Sequence, residues 1–219
     1  MRSHRIQHRG RYAIQSHWKG SVVPKQVDHD ARRHEIAEAV FRLVARQGLE
    51  AVSLRHVAAE AGVSMGRVQH YFATKDEMLR FSFQVISERA DQRLGVAMAA
   101  AGPEPRSQLR AFLVEMLLLS DEGRAEAPVL AAFLARSVVE PALSAPMREG
   151  GRRMTDFVAG LILAGQRDDL DANREAGMLL ALADGLMLHV LTGQVDAGTA
   201  LATLDYQLDR IFSGARRRR

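Results

Sequence analysis

The chain has 219 residues, of which 47% are hydrophobic and 26% are charged, and it contains no cysteine. This composition is that of a globular protein with a buried core, and it excludes a disordered chain, a fibrous repeat and a disulfide-bonded scaffold. Without thiolates the chain also has no cysteine nucleophile, no iron–sulfur cluster and no cysteine-ligated zinc site.

The charge is distributed unevenly along the chain. Residues 1–80 carry fourteen Lys/Arg against eight Asp/Glu, residues 81–215 carry twelve against eighteen, and residues 216–219 are all arginine. A basic first third joined to an acidic remainder indicates that the first third binds a polyanion, although chance clustering of solvated charge gives the same totals.

The first 27 residues form a separate segment by composition. They hold six basic residues and no acidic residue, and they show neither helical nor strand periodicity, which predicts a flexible N-terminal extension. The extension is either a minor-groove arm or an inert tail. The inert tail is the simpler interpretation, because charge runs at termini are usually solvated.

Nothing in the sequence predicts a membrane protein. The longest uncharged apolar run, residues 157–165, is too short to cross a bilayer, and the N-terminus lacks the apolar core of a signal peptide. We therefore expect a cytoplasmic protein with no membrane partner.

From residue 31 onward the apolar residues recur with helical periodicity, and no alternating pattern indicates a strand. The sequence thus predicts an all-α protein of about nine helices. Pro128 is suited to the first turn of the sixth helix, and Asp171 or Asn173 to capping the eighth. The predicted helices lie at about 31–47, 54–61, 65–71, 75–101, 106–120, 128–140, 141–165, 172–191 and 199–212.

The second and third helices are short, are joined by a glycine and are braced by the longer first helix, which is a helix-turn-helix arrangement. Ser53 and Ser64 are suited to cap the two helices, and Gly62 tolerates the positive φ that the turn needs. Two helices that cross steeply need small residues where they touch. Those residues are Ala58, Ala61 and Val63.

The third helix has the pattern of a recognition helix, with Val68 and Phe72 inward and polar side chains outward, where they reach base edges in the major groove. Arg67 can bond guanine and Gln69 adenine, each through two hydrogen bonds. Alternatives are a phosphate-only contact for Arg67 and a packing role for Tyr71. The predicted DNA contacts are Arg55, Ser64, Met65, Arg67, Gln69, His70, Tyr71 and Lys75.

Residues 54–79 resemble the DNA-binding signature of the TetR family of bacterial transcriptional regulators. The features that match are the Ala-Gly-Val-Ser turn at 61–64, Gly66 after the cap, the Tyr71-Phe72 pair, and a lysine followed by acidic residues and a leucine at 75–79. The resemblance implies phosphate contacts at Tyr71 and Lys75. Many family members carry tyrosine at the position of Gln69, so we expect Gln69 to read a base directly.

The resemblance also implies the division of the chain and its function. Residues 28–75 would form the DNA-binding domain, residues 76–214 a helical effector-binding and dimerisation domain, and residues 215–219 an arginine-rich tail. The implied function is a ligand-responsive regulator, most often a repressor, that binds a palindromic operator in double-stranded DNA as a homodimer and is released by a small molecule.

Other functions remain as alternatives: an activator of the same fold, a non-specific nucleoid-associated protein, and a small helical enzyme. The chain contains no His-Glu-x-x-His, Gly-x-Ser-x-Gly, phosphate-loop or dinucleotide-binding motif. We therefore predict that it is not an enzyme and assign no catalytic residue, metal ligand or cofactor.

The effector pocket and the dimer interface are placed in the later helices. The candidate pocket residues are large or adaptable, and ordinary core packing is the alternative. Arg136 among them would either anchor an anionic ligand or lie paired at the surface. They are Phe112, Met116, Phe133, Arg136, Met154 and Phe157. The last two helices are apolar over a wide arc, which suits either a dimer interface or a core. The candidate dimer residues are Leu179, Leu182, Leu186, His189, Val190, Leu204 and Leu208.

Overall fold

A computed structural model describes residues 25–165 and 170–213. Within these ranges the chain forms nine α-helices, a short 3-10 turn at Leu49–Ala51 and no strand, which confirms the predicted all-α class. The helices are α1 (Lys25–Gln47), α2 (Leu54–Glu60), α3 (Met65–Tyr71), α4 (Lys75–Ala101), α5 (Pro105–Met116), α6 (Asp121–Val139), α7 (Pro141–Ala164), α8 (Ala172–Leu191) and α9 (Ala197–Ser213).

Two predicted features differ from the structure at helix starts. Helix α1 begins six residues before the predicted start, because apolar periodicity marks only the part of a helix that packs on a core. Pro128 lies inside α6 and not at its start. The stronger signal is Ser120, whose hydroxyl accepts a hydrogen bond from the Gly123 amide at 3.0 Å. The predicted extension up to residue 24 and the tail from residue 215 lie outside the described residues.

Two hydrophobic clusters hold the helices together. The first joins α1, α2, α3 and the start of α4 around Val40, Val57 and Phe72. The second joins α5, α7, α8 and α9 around Leu113 and other buried side chains. Fully buried members of the second cluster include Leu109, Leu113, Leu179 and Leu208.

Helix α4 is common to both clusters. Its first turns bury Met78 and Leu79 in the first cluster, and Leu94 and Met98 pack against the second. Its 27 residues make a rod of about 40 Å at 1.5 Å per residue. Any tilt of α4 in the second cluster is therefore carried to the first.

Helix α6 also packs against the helices on the other side of the domain boundary predicted after residue 75. Its Phe133 is buried in the first cluster and stacks on Phe83 of α4, with ring centroids 4.8 Å apart. The packing of the N-terminal helices thus continues into the body of the protein. None of the helices within the described ranges is long and apolar enough to span a bilayer.

Candidate nucleic-acid interface

The turn between α2 and α3 is fixed by its own backbone. Gly62 has a φ of +67° and closes a Schellman motif. In this motif the Val63 amide donates to the Ala58 carbonyl at 3.0 Å, and the Gly62 amide donates to the Ala59 carbonyl at 3.2 Å. The serine caps predicted from the sequence are confirmed: Ser53 accepts from the His56 amide at 3.1 Å, as does Ser64 from the Arg67 amide at 3.2 Å.

Helix α3 presents one face to the core and the other to solvent, as the sequence predicts. Val68 is fully buried, and Phe72, directly after the helix, is 1% exposed. The side chains proposed to contact DNA are exposed except Tyr71 and Lys75, which are half-buried. The exposed ones are Arg55, Ser64, Met65, Arg67, Gln69 and His70.

The cations on this surface differ from the neighbouring Arg42 and Arg46 of α1 in how they are paired. Within the described ranges, Arg55, Arg67 and Lys75 form no ion pair, although Arg42 and Arg46 of α1 both pair with Glu60 at the end of α2. The Arg42 guanidinium donates to Glu60 at 2.8 Å and contributes most to lowering the pKa of that carboxyl. The pairs on Glu60 fix α2 against α1, and the unpaired cations keep their charge for an external anion.

Tyr71, at the end of α3, is held by α1. The Tyr71 ring lies 4.8 Å from the ring of His29 and 5.0 Å from that of His70, measured between centroids. Sequence reasoning missed His29, since the contact joins residues 42 positions apart and no local pattern marks it. The half-buried ring leaves the phenol at the rim of the surface, beside the exposed face of α3.

The start of α4 is a capping box, as predicted, with one shift in its partners. The Thr74 hydroxyl accepts from the Glu77 amide at 3.1 Å, and the Glu77 carboxylate accepts from the Ala73 amide at 2.9 Å. The carboxylate also lies 3.6 Å from the guanidinium of Arg33 on α1. Lys75 thus lies at a helix start that is fixed to α1. We refer to α1, α2, α3 and the start of α4 as the head, and to the remaining helices as the body.

A network of charged side chains connects these helices to the body. Glu126 of α6 is 5% exposed and lies between two arginines of α4, at 3.5 Å from Arg89 and 3.0 Å from Arg93. Arg89 also bonds Glu38 of α1, and Arg93 also bonds Glu115 of α5 at 2.7 Å. Through these two arginines, four helices are linked around one buried carboxylate.

The predicted effector residues do not share one site. Phe112 and Phe157 lie together, with ring centroids 5.2 Å apart, and Phe157 is 39% exposed. Phe133 is instead buried in the first cluster. Arg136 bonds Glu140 at 2.6 Å and Asp76 at 3.0 Å. Arg136 is thus paired in this structure, which is the second of the two roles predicted for it, and its role as an anchor for an anionic ligand stays a prediction.

Four of the predicted dimer residues are buried within one copy. Leu179, Leu204 and Leu208 are at most 1% exposed and Leu186 is 7% exposed, so they have almost no surface to offer a second copy. Their apolar character serves to pack α8 and α9 on the body. Leu182 and Val190 are half-buried, and His189 is exposed.

The apolar side chains that α8 and α9 present to solvent are different ones. Met178 and Leu188 of α8 are each 53% exposed, and Tyr206 of α9 is 67% exposed. Ala181 lies between the first two on the same exposed side of α8.

No group of three or more His, Asp or Glu residues within the described ranges is arranged to hold a metal ion.

A helix-turn-helix that carries an unpaired arginine on its outer helix and is mounted on a helical body defines a DNA-binding regulatory protein. Residues 36–80 match the family model for bacterial regulatory proteins of the tetR family. Residues 105–213 match the model for the C-terminal part of BetI-type transcriptional repressors. The chain belongs to the TetR family of transcriptional regulators.

Individual relatives agree with this assignment. The chain is 34% identical over 177 residues to the HTH-type transcriptional regulator PksA of Bacillus subtilis (strain 168), which covers 79% of this chain and 85% of PksA. A solved transcriptional regulator from Rhodococcus sp. Rha1 is 32% identical with a TM-score of 0.74, covering 83% of this chain and 96% of that one. A regulator from Saccharomonospora viridis, solved in complex with choline, is 26% identical with a TM-score of 0.71, covering 84% and 96%.

The conformation of Gly62 gives a prediction for stability. A Cβ at Gly62 meets no atom within 4 Å, so Gly62→Ala introduces only backbone strain, and we expect the free energy of unfolding to fall by about 1–2 kcal/mol. Gly66 in α3 has equally open space without a positive φ, and Gly66→Ala should be neutral or stabilise by up to about 1 kcal/mol. Chemical denaturation measures both. Equal changes in the two variants would contradict the role of the Gly62 backbone.

Proposed function

We propose that this TetR-family regulator is a repressor that binds a two-fold symmetric operator as a homodimer and leaves it when a small molecule binds the helical body. The observation that carries the proposal is the exposed face of α3, where Arg67 and Gln69 stand unpaired above buried Val68 and Phe72. One such helix reads too few base pairs for specificity, so two copies act together. Since the partner is chromosomal DNA, the protein works in the cytoplasm.

The proposed contacts divide into base reading and phosphate binding. Arg67 and Gln69 extend from the exposed face of α3 and have the hydrogen-bonding groups that recognise guanine and adenine. Tyr71 and Lys75 lie at the far end of α3 and the start of α4, where a phenol and an ammonium donate to phosphates. Ser64 is the cap of α3, and we propose that its hydroxyl and the amides of the first turn also lie near phosphate. Arg55, Met65 and His70 border this surface.

We propose that the dimer forms through the exposed sides of α8 and α9. Met178, Leu188 and Tyr206 supply apolar surface that no described residue covers, and Ala181 lets a second helix approach closely. Such a contact is two-fold symmetric, because the same patch serves both copies. It also leaves α3 of each copy free for DNA.

The effector site of this proposal lies beside Phe112 and Phe157, the ring pair that is partly open to solvent. Met116 is half-buried on the same helix as Phe112, and Met154 is one turn before Phe157. Aromatic faces attract cations, and choline, the ligand of the Saccharomonospora viridis relative, is a quaternary ammonium. Choline is therefore the first compound to test as an effector.

The route from effector to DNA runs through α4. A ligand that shifts α5 or α6 changes the ion pairs of Glu115 and Glu126 with Arg93, which lies on α4. A second link joins Arg136 of α6 to Asp76, directly after Lys75. The ligand releases DNA only if it binds more tightly to the state in which the two α3 helices no longer fit successive major grooves.

Selection of binding sites from a pool of random DNA duplexes tests the function. We expect the purified protein to enrich an inverted repeat whose half-site centres lie about 34–36 Å apart, or a multiple of this spacing. Protection from cleavage should show two equal half-sites. Enrichment of no sequence would contradict the regulator and favour a non-specific binder, and a single unrepeated site would contradict the dimer.

Two substitutions separate base reading from phosphate binding on the selected operator. Gln69→Ala should cost on the order of 1–3 kcal/mol and relax the preference at one base pair in each half-site, because it removes a pair of hydrogen bonds to one base. Lys75→Ala should weaken operator and random DNA alike and reduce the salt slope by about one for each phosphate that is no longer bound. Binding isotherms at several salt concentrations measure both. If both variants relaxed the same base preference, the assignment of Lys75 to phosphate would be wrong.

The buried carboxylate of α6 gives a prediction for the link between head and body. Glu126→Gln removes a charge that two arginines surround, and each arginine keeps a second carboxylate. We therefore expect unfolding to become easier by about 1–3 kcal/mol and operator affinity to fall with unchanged base preference. Glu122→Gln is the matched control, because Glu122 is exposed in the first turn of the same helix. Denaturation and DNA binding are measured on both. An equal response of the two variants would contradict the coupling role.

A further inference from the structure

We propose that the cavity between α1, α4 and α6 is a second ligand site, which binds an organic cation with an apolar body. The cavity has a volume of about 630 Å³, which is within the range of small-molecule sites. It shares no residue with the ring pair of Phe112 and Phe157, so it is separate from the effector site proposed above. The inference depends neither on that site nor on DNA binding.

The walls of this cavity come from one face of each of three helices. Helix α6 contributes Glu122, Ala125 and Glu126, which are three and four residues apart and therefore lie on the same side of the helix. Helix α1 contributes Phe41 and Ala45, and α4 forms the remaining side. Because α1 belongs to the head and α6 to the body, a ligand in the cavity contacts both.

The charge that lacks a partner at this cavity is negative. Each arginine that lines it has a carboxylate partner, and these pairs are Arg42–Glu60, Arg89–Glu38 and Arg93–Glu115. The exposed carboxylate of Glu122 forms no ion pair or hydrogen bond with any residue that the structure describes. A cationic ligand therefore gains a partner here, whereas an anionic ligand would have to compete with carboxylates that are already bound.

A second carboxylate lies deeper in the cavity. The side chain of Glu126 is only 6% exposed, and its Oε2 atom is 3.0 Å from Nη2 of Arg93. The two atoms do not meet in hydrogen-bonding geometry, and neither has another hydrogen-bond partner among the described residues. Buried polar atoms are normally hydrogen-bonded, so this carboxylate has a free acceptor. Glu126 lies one turn after Glu122, and the cavity thus has one carboxylate at its rim and another at its base.

The apolar part of the cavity is suited to the body of such a ligand. Phe41 is 7% exposed, and the Arg89 guanidinium carbon lies 5.5 Å from the centre of its ring, so this ring already attracts a cation. Ala45 and Ala125 are small and leave the space above the ring open. An inorganic cation would need several oxygen ligands at once, which no cluster of described residues supplies. An ammonium group on an aromatic or hydrocarbon body fits both the carboxylates and the apolar walls.

Three small molecules of similar shape test the charge of the ligand. At neutral pH phenethylamine is a cation, phenethyl alcohol is neutral and hydrocinnamate is an anion. In calorimetric titrations of the full chain without DNA, we expect phenethylamine to bind with a dissociation constant below about 1 mM. Phenethyl alcohol should bind at least about threefold more weakly, and hydrocinnamate should not bind measurably. Added salt should weaken the binding of phenethylamine, because it screens the ion pair.

Two pairs of variants test the location of the site. Glu122→Gln removes the carboxylate at the rim and should weaken phenethylamine binding about three- to fivefold. Asp121→Asn removes the same charge from the same turn of α6 but outside the cavity, and it should bind as the wild type does. Ala125→Phe fills the cavity and should weaken binding at least about tenfold. Ala131→Phe adds the same ring at an exposed position of α6 outside the cavity and should have no effect.

Several results would overturn the proposal: no measurable binding of phenethylamine, equal binding of the three molecules, or equal responses within either pair of variants. Weaker binding by Phe157→Ala together with unchanged binding by Glu122→Gln would assign phenethylamine to the effector site instead. Circular dichroism checks that each variant retains its helices, and if Ala125→Phe does not fold, the Glu122 and Asp121 pair still decides the location. Because the titrations contain no DNA, failure of this proposal is distinct from failure of the proposed function.

Discussion

The arrangement of the whole protein depends on α4 belonging to two hydrophobic clusters at once. Met78 at one end is buried under the DNA-binding head, and Leu94 near the other packs against the body. Packed side chains transmit displacement with little compression. The orientation of the head therefore depends on the orientation of the body. A regulator needs this property, since an event in the body has to alter the position of α3.

The ion pairs around Glu126 also hold α4 in place, whereas the recognition helix has no such pairs. Around α4, Glu126 balances arginines that also reach α1 and α5, so the network is closed within the protein. On α3 the opposite holds, because Arg67 has no carboxylate partner within the described ranges. Buried charges stabilise one geometry only when they are paired, whereas surface cations serve a polyanion best when they are not. The arginines around Glu126 therefore serve the packing of the helices, whereas Arg67 keeps its charge available for recognition.

Most of the fold was predictable because it depends on local signals. The serine caps, the turn at Gly62, the capping box at Thr74 and the inward direction of Val68 all follow from the few residues around them. The features that the sequence did not reveal join distant residues. Apolar periodicity shows that Leu204 faces a core, but it does not show whether that core belongs to one copy or two.

The same limit applies to the predicted pocket residues, whose positions depend on contacts between distant parts of the chain. Phe133 and Phe112 are alike as residues, yet they are buried in different clusters, and only their long-range neighbours distinguish them. The exposed position of Gln69 follows from nearby residues, because the Ser64 cap marks where α3 begins. A phenylalanine in a long amphipathic helix has its role set by helices that are distant in the sequence.

The pairing of arginines in the body also restricts the chemistry of an effector. Arg93, Arg110 and Arg136 each bond carboxylates, and the bond from Arg110 lowers the pKa of Asp205. An anionic ligand that bound one of these three arginines in place of its carboxylate would leave that carboxylate without a partner, which costs free energy. A neutral or cationic ligand beside the rings of Phe112 and Phe157 meets no such cost. For the effector site proposed beside Phe112 and Phe157, these pairs favour a ligand that carries no negative charge.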